Sequence, residues 1–267
     1  MKVIITGGCG FIGHHLVEHF LKNTDWEICL FDKLSYAANG LNRVRDIKAF
    51  DSNRVHFFSV DFSREISDGI VSETEDAEIV FHLGAETHVD DSIRDPMKFV
   101  VANVVGTTNI LTYALKLRNP RRFFYFSTDE VFGPASRNDT IPAATAYYAD
   151  THMKYKEWDR YNSSNPYAAS KAGGEEMCLA FANTYGLPII ITHTMNVLGE
   201  RQHPQKFLPL CMNKILEGEE IQIHADKECK NSGSRFYIHA RNVADAMLFL
   251  CNNENGIGRC DKFNIVG

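Results

Sequence analysis

Apolar residues gather in short runs along this chain, and most runs are followed by a stretch with apolar positions three or four apart. Such runs fall at residues 2–6, 26–31, 55–60, 77–83, 122–126, 188–193, 221–225 and 262–266. They are short, rich in Val, Ile and Phe, and bounded by Gly, Asp or Pro, which predicts buried strands. Helical periodicity is found at 14–21, 91–117, 167–185, 210–217 and 240–250, and 226–234 reads as a charged loop. Asn165 is suited to cap the 167–185 helix and Pro166 to begin it, while Gly186-Leu187-Pro188 stops it. Strands alternating with helices predict an α/β fold built on a doubly wound parallel sheet.

The first strand runs into Gly7-Gly8-Cys9-Gly10-Phe11-Ile12-Gly13 and then a helix. Gly-x-x-Gly-x-x-Gly between a strand and a helix is the setting of a Rossmann dinucleotide site. Gly7 permits the tight turn, Gly10 lets a pyrophosphate approach the backbone, and Gly13 lets the helix pack closely. The helix amino terminus then faces the phosphates. Asp32 ends the second strand about 20 residues on, where an acid bonds the adenosine ribose hydroxyls and favours NAD. Lys33, next to it, leaves some room for a 2′-phosphate. Asp61 and Phe62 end the third strand, placed to accept from an adenine amino group and to flank its ring. Gly84 and Ala85 follow the fourth strand and leave room for the cofactor backbone.

Two clusters offer chemistry. The aromatic strand 122–126 leads into Ser127-Thr128-Asp129-Glu130, so Thr128, Asp129 and Glu130 fall at the carboxyl end of a parallel strand, where open α/β sheets bind ligands. Tyr167 and Lys171, four apart, share one helix face. A phenol that ionises near pH ~10 needs about 3 units of lowering, roughly 4 kcal/mol, to act as a base at neutrality. An ammonium and a cationic nicotinamide ring together favour that. Tyr167 then takes a proton from a substrate hydroxyl as hydride leaves its carbon. Taken alone, Tyr-x-x-x-Lys describes many ordinary helix surfaces, and two adjacent acids describe many helix starts.

The length of 267 residues suits one large α/β domain, or one with a small appendage, and the net charge of −6 is spread along the chain. Neither a nucleic-acid surface nor a membrane span is indicated. Met1-Lys2 leads straight into a strand, so no secretory leader is expected. The seven cysteines are scattered without Cys-x-x-Cys, which points to a reducing cytoplasm rather than a disulfide framework. His82, His88, His15 and His19 lack companions at metal-ligand spacing, so no metal is expected, and His15 and His19 read as surface residues. Arg201, Lys206 and Arg235 offer cations to a substrate diphosphate.

Thr6-Gly7-Gly8-x-Gly10-Phe11-Ile12-Gly13, the Ser-Thr motif and Tyr-x-x-x-Lys together resemble the extended short-chain dehydrogenase/reductases. The closer resemblance is to their nucleotide-sugar 4,6-dehydratase branch. It rests on 31–39, 82–93, Asn103-Val104-Val105-Gly106-Thr107, 127–133 and Arg201-Gln202-His203-Pro204-Gln205-Lys206. Thr128-Asp129-Glu130 is its most specific part. The resemblance implies conversion of an NDP-glucose, with dTDP or UDP as the nucleotide, to the 4-keto-6-deoxy sugar. Tyr167 takes the 4-hydroxyl proton, held by Thr128, as hydride leaves C4 for NAD. Glu130 removes the C5 proton while Asp129 protonates the departing 6-hydroxyl, and the hydride returns to C6.

It further implies cofactor contacts at Phe11, Ile12, Leu34, Leu83 and Val197 as well as Tyr167 and Lys171. Thr87, Asn196, Lys206 and Phe207 match positions that hold the sugar nucleotide, and Gln222, Ile223, His224 and Asn264 match its nucleotide side. Residues 1–193 are then the NAD-binding domain with the catalytic groups, and 194–267 a sugar-nucleotide part shorter than is usual in the family. Family members dimerise through the long helix after the fourth strand and the Tyr-bearing helix, so a homodimer is implied. Two other readings remain: a nucleotide-sugar 4-epimerase or reductase, against which the acid pair argues, and an NAD-binding protein without turnover.

Overall fold

The computed structural model describes residues 1–35, 38–133, 155–223, 225, 228, 230, 232, 236–253 and 257–267. The chain begins β1 (Lys2–Thr6), α1 (Phe11–Asn23), β2 (Glu27–Asp32), α2 (Asn42–Asp46), β3 (Val55–Ser59), α3 (Asp68–Thr74) and β4 (Ile79–His82). Then come α4 (Val89–Arg94), α5 (Pro96–Val100), a π-helical turn (Val101–Val105), α6 (Gly106–Ala114) and β5 (Arg122–Thr128). A 3-10 turn (Asp129–Phe132) precedes α7 (Pro166–Tyr185), β6 (Ile189–Thr194), β7 (Asn196–Leu198) and α8 (Phe207–Glu217), and β8 (Tyr237–His239), α9 (Ala240–Asn252) and β9 (Cys260–Ile265) complete the order.

Seven strands form one parallel sheet in the order β3-β2-β1-β4-β5-β6-β9, and β7 pairs with β8 in a small parallel ribbon. Successive strand residues point to opposite faces. Val3, Ile5, Leu30, Phe81 and Phe124 therefore pack with Leu16, Phe20, Val243 and Met247 of α1 and α9. Ile4, Phe31, Val80, Phe123 and Ile191 pack on the other face with Ile110, Tyr113, Cys178 and Phe181 of α6 and α7. Covered on both sides, the central strands are continuous apolar runs. Each fully buried large side chain contributes about 1.5–3 kcal/mol.

The strand order reverses between β1 and β4, and such a reversal opens a crevice at the carboxyl ends. There Thr6 lies opposite His82 in register. Thr6 Oγ1 accepts the Gly84 N–H at 3.0 Å and lies 2.7 Å from His82 Nδ1. Thr107 Oγ1 donates to the Asn103 carbonyl at 2.7 Å, which leaves it accepting from His82 Nε2 at 3.0 Å. The pattern selects one neutral tautomer of the buried ring. Burial, and then the nearby Lys171, push its pKa down to about 3.

Three expectations change. The single helix at 91–117 is instead α4, α5, the π turn and α6. Pro96 lacks the N–H that would continue α4, and the Asp95 carboxylate accepts from Lys98 N at 3.3 Å to restart the chain as α5. Of the strand expected at 221–225, the described residues 221–223 are not in a strand, Ile223 is exposed, and Ala225 makes an isolated bridge to Ser232. His15 is not on the surface but buried beside Phe11 and His14, with Nε2 bonded to the Glu200 carbonyl at 3.1 Å. Most of the 226–234 charged loop lies outside the described residues.

Two glycine substitutions are expected to act with opposite signs. Gly69 in α3 has nothing within 4 Å of an added Cβ, so Gly69→Ala stabilises by up to ~1 kcal/mol. In α7, a Cβ on Gly174 meets the Tyr125 hydroxyl and lies 2.8 Å from the Asn103 carbonyl oxygen, so Gly174→Ala destabilises despite its helix preference, by about 1–3 kcal/mol. Urea unfolding of the two variants checks both signs.

Stability is also expected to fall with acid. His82 titrates near 6.5 when unfolded and near 3 when folded, so between those values only the unfolded chain binds its proton. The loss is about 1.4 kcal/mol per pH unit through that window. His82→Asn lowers stability at neutrality yet flattens the decline below pH ~6.5, as a urea series over pH would record.

Candidate active site

One cleft opens along the carboxyl edge of the sheet. Gly7, Gly10, Phe11, Ile12 and Gly13 form its inner wall. Gly7 has φ +66, and a Cβ there would lie 2.8 Å from the Gly84 Cα. A Cβ on Gly13 would strike the Gly7 carbonyl and lie 2.8 Å from the Gly8 Cα. The turn is thus drawn tight under the start of α1, leaving bare backbone toward the cleft. Asp32 stitches this turn to β2: one carboxylate oxygen accepts the Cys9 N–H at 3.1 Å and the other the Leu34 N–H at 2.8 Å. Burial raises the Asp32 pKa, and those two N–H bonds oppose the rise. Leu34 reaches this bond with φ +54 and packs its side chain on the core, away from the cleft wall.

Leu83, Gly84, Ala85 and Phe62 form the opposite wall, with Gly84 and Gly106 so close to the Phe62 ring that a Cβ on them would lie 2.5 and 2.8 Å from it. Asp61 is outside the lining, exposed, and accepts the Ser63 N–H at 3.0 Å. Lys33 is in the lining, 3.7 Å from Glu86, whose second oxygen is 3.1 Å from Lys98. Glu86 therefore answers the cation that a 2′-phosphate would need. A cradle that any Cβ would fill, a helix amino terminus and an acid at the ribose position fit NAD.

The groups expected to react line the same cleft. Thr128, Asp129, Glu130, Tyr167 and Lys171 all line it. β5 delivers Thr128 at its last residue, in register with Thr194 of β6, and the 3-10 turn presents the two acids. Asn165 starts α7 with its Oδ1 accepting the Ala168 N–H at 2.8 Å, and Pro166 follows at the first helical position. This start fixes Tyr167 against Thr128. Burial and the Glu130 charge hold the Tyr167 phenol above its ordinary range, the Thr128 hydrogen bond acts the other way, and Asp129 adds to the rise. The Lys171 ammonium is buried 4.1 Å above the Tyr125 ring. Burial pushes its pKa down to about 8, with Glu175 pulling upward. Lys206 lines the cleft facing Glu130; burial lowers its pKa and Glu130 opposes that.

Glu175, one turn after Lys171, anchors a buried cluster. It accepts from Ser127 Oγ and Tyr161 Oη, lies 3.1 Å from His193 Nε2, and is 3.5 Å from Lys262 Nζ. Lys262 also donates to Tyr161. Burial works against the Glu175 charge, but His193, Ser127 and Tyr161 more than offset it, and the carboxyl stays below its usual range.

Other expected positions divide. Thr87, Asn196, Val197 and Phe207 line the cleft. Arg201 does not: with φ +62 it turns back to α1, where Nε donates to His14 at 2.9 Å and a terminal nitrogen is 3.6 Å from Glu18. Gln222 and Ile223 are exposed away from the lining, and Asn264 bonds the Tyr155 carbonyl at 3.0 Å. His224 and Arg235 lie outside the described residues. The cleft also takes in Ser127, Glu86, Arg43, Gln202 and His203, which the sequence reading did not assign. Ser127, Glu86, Gln202 and His203 stand inside the family-like stretches, which was the available signal, and Arg43 stands outside them. Among the described residues no group of three or more His, Cys, Asp and Glu is placed to hold a metal.

Residues 3–265 match the model of the NAD dependent epimerase/dehydratase family. The chain belongs to this family. Its sequence is 38% identical to a dTDP-glucose 4,6-dehydratase of Salmonella typhimurium, over 100% of this chain and 72% of that protein. Its fold superposes on a dTDP-glucose 4,6-dehydratase of Streptomyces venezuelae solved with NAD bound, with TM-score 0.83 and 28% identity, covering 100% of this chain and 76% of that one. A UDP-glucuronic acid 4-epimerase of Bacillus cereus shares the fold at TM-score 0.84 and 23% identity, covering 100% and 78%. In this family member, then, dehydratase and epimerase scaffolds are alike, and side chains at the cleft must decide the chemistry.

Glu175→Leu is expected to destabilise by about 3–5 kcal/mol at neutral pH, because Lys262 and His193 lose their buried acid. Glu175 has a depressed folded pKa, so its contribution is present above the ordinary carboxylate value of 4.5 and lost as pH falls through the folded one. In the milder Glu175→Gln, the alkaline limb that Lys171 imposes on turnover moves below about 8, since the group raising its pKa is gone. Unfolding at several pH values and a pH–rate profile measure these effects.

Proposed function

We propose that this chain is an NAD-dependent nucleotide-sugar 4,6-dehydratase acting on dTDP-glucose or UDP-glucose. The observation that supports this most is one cleft holding a Tyr–Lys pair together with two adjacent carboxylates, with Glu130 and Asp129 both felt by the Tyr167 phenol. The glycine turn, Asp32, Phe62 and Gly84 would hold the cofactor, in the same cleft as Tyr167 and Lys171. When bound, NAD supplies reversible storage of one hydride and a ring cation beside the phenol.

The side chains divide the proton work. Thr128 holds the sugar 4-hydroxyl and Tyr167 receives its proton as C4 is oxidised. A C5 proton becomes acidic only once C4 is a ketone. Glu130 then removes that proton, and Asp129 gives one to the departing 6-hydroxyl, so water leaves between C5 and C6. Opposite roles for neighbouring carboxyls require different surroundings. Glu130 has Asn165 and Lys206 about it, while Asp129 lies 3.3 Å from the Thr128 hydroxyl. The product would be the 4-keto-6-deoxy sugar, with no net change in the cofactor.

In this reading residues 1–193 hold the cofactor and the reacting groups, and 194–267 contribute the sugar-nucleotide side, including Asn196, Lys206 and Phe207. We also infer a homodimer through α4 to α6 and α7, supported by the exposed apolar side chains Ile93, Met97, Val101 and Val105. The free cysteines favour a cytoplasmic enzyme. Among the described residues no helix is long and apolar enough to cross a membrane.

Purified protein incubated with each nucleotide-glucose is expected to yield a product lighter by one water, with no net reduced cofactor. Glu130→Gln abolishes water loss, and Tyr167→Phe slows the first oxidation by about 10²–10⁴-fold. A product of unchanged mass with the C4 hydroxyl inverted would instead establish an epimerase. Bound NAD with no sugar chemistry would leave a binding protein.

A further inference from the structure

We propose that Asn165 is a positioning residue for the elimination step: its side-chain amide holds the Glu130 carboxylate ready to take the C5 proton. This rests on the dehydratase reading. Asn165 Oδ1 accepts the Ala168 N–H at 2.8 Å as the cap of α7. That bond settles which end of the amide is which, because only the oxygen can accept. The NH₂ end must then point away from the helix, and there it meets Glu130 Oε2 at 3.1 Å. One planar group thereby ties the 3-10 turn bearing Glu130 to the helix bearing Tyr167, across 35 residues of sequence. One proton leaves the hydroxyl on C4 and the other leaves the adjacent carbon C5, so their acceptors must keep one spacing. The amide sets that spacing without touching substrate.

A neutral donor is also chemically suited to the place. It gives the Glu130 carboxylate a charge-assisted hydrogen bond without adding a titratable group. Among the described residues, the other ionisable groups about Glu130 are Tyr167 from α7, Lys206 from the start of α8 and Asp129 beside it on the same turn. Lys206 is a cation available to substrate, whereas Asn165 is committed to the protein at both ends. The helix cap and the acid clamp are separable roles. Ser and Asp both cap helices about as well as Asn, but neither presents an N–H.

Asn165→Ser and Asn165→Asp are therefore compared with the wild-type chain in the NAD-loaded enzyme, mixing each with dTDP-glucose and with UDP-glucose in single turnover. Reduced-cofactor absorbance follows the C4 oxidation, and deuterium incorporation at C5 follows the elimination. Both variants are expected to melt close to wild type and to form reduced cofactor at nearly the wild-type rate. Elimination slows by about 10–100-fold, the scale of a lost hydrogen bond to a charged group, so reduced cofactor accumulates. Asn165→Asp sets a second anion against Glu130, so its elimination rate recovers as pH rises more steeply than that of Asn165→Ser.

Wild-type partitioning between the two steps in both variants overturns the role of Asn165 while leaving the reaction intact. Oxidation and elimination slowed by equal factors also overturn it, because that is what a merely loosened helix start would give. A wild-type chain that dehydrates neither sugar nucleotide overturns the reaction, and this role with it.

Discussion

The site depends on the contact of two backbone turns that carry no side chains where they meet. Gly7 and Gly84 leave β1 and β4 at the point where strand order reverses, and an added Cβ on the first would sit 2.8 Å from the second. Everything in the cleft is referenced to that approach. The glycine turn sets the direction of α1, Asp32 clips the turn to β2, and Phe62 is pressed against Gly84 from the far side. Beneath it His82 spans from Thr6 to Thr107, so the floor of the cofactor site is also the joint between the sheet and α6. Hydrogen bonds in so dry a place are rigid because no water competes for their partners.

Charge is the second organising constraint. Lys171, Glu175, Glu86 and Lys262 are all buried, which is costly unless each charge meets a partner or the reaction uses it. Glu175 meets several partners and stays ionised. Glu86 is shared between Lys33 and Lys98. Lys171 has the face of Tyr125 and the more distant pull of Glu175, and its proton is correspondingly loosely held. The lysine with the weakest support is the one beside the reacting phenol, as expected where pKa values serve chemistry.

The sheet was legible because its central strands are buried on both faces and read as unbroken apolar runs. The glycine turn, Asp32, the acid pair and Tyr167–Lys171 were legible because each is a local pattern with a geometric use. What escaped was decided by distant partners. The three-residue strands β7 and β8 are too short to show a period. Within the π turn Asn103 faces inward to Glu86 and Ser170, neither of them near it in sequence. Arg201 sits in a polar, cation-bearing stretch that gives no sign of direction, and His14 and Glu18 on α1 draw it away from the cleft. His15 resembled a surface histidine until the Glu200 carbonyl covered it. Asn165 was readable as a cap, but its second bond reaches a residue 35 positions earlier.

The edge of the sheet adds a kinetic condition. β9 pairs with β6 from Ile189 opposite Cys260 to Thr194 opposite Ile265. Between them the chain must build β7, α8, β8 and α9. During synthesis the Ile189-Ile190-Ile191 strand therefore stands as an unpaired parallel edge until residue 265 has emerged. Parallel pairings over such separations form late and leave apolar edges open to other chains. At roughly 5–20 residues per second, the exposed interval lasts several seconds on the ribosome. The yield of folded protein then depends on how quickly α9 docks against α1, since that docking brings β9 to its place beside β6.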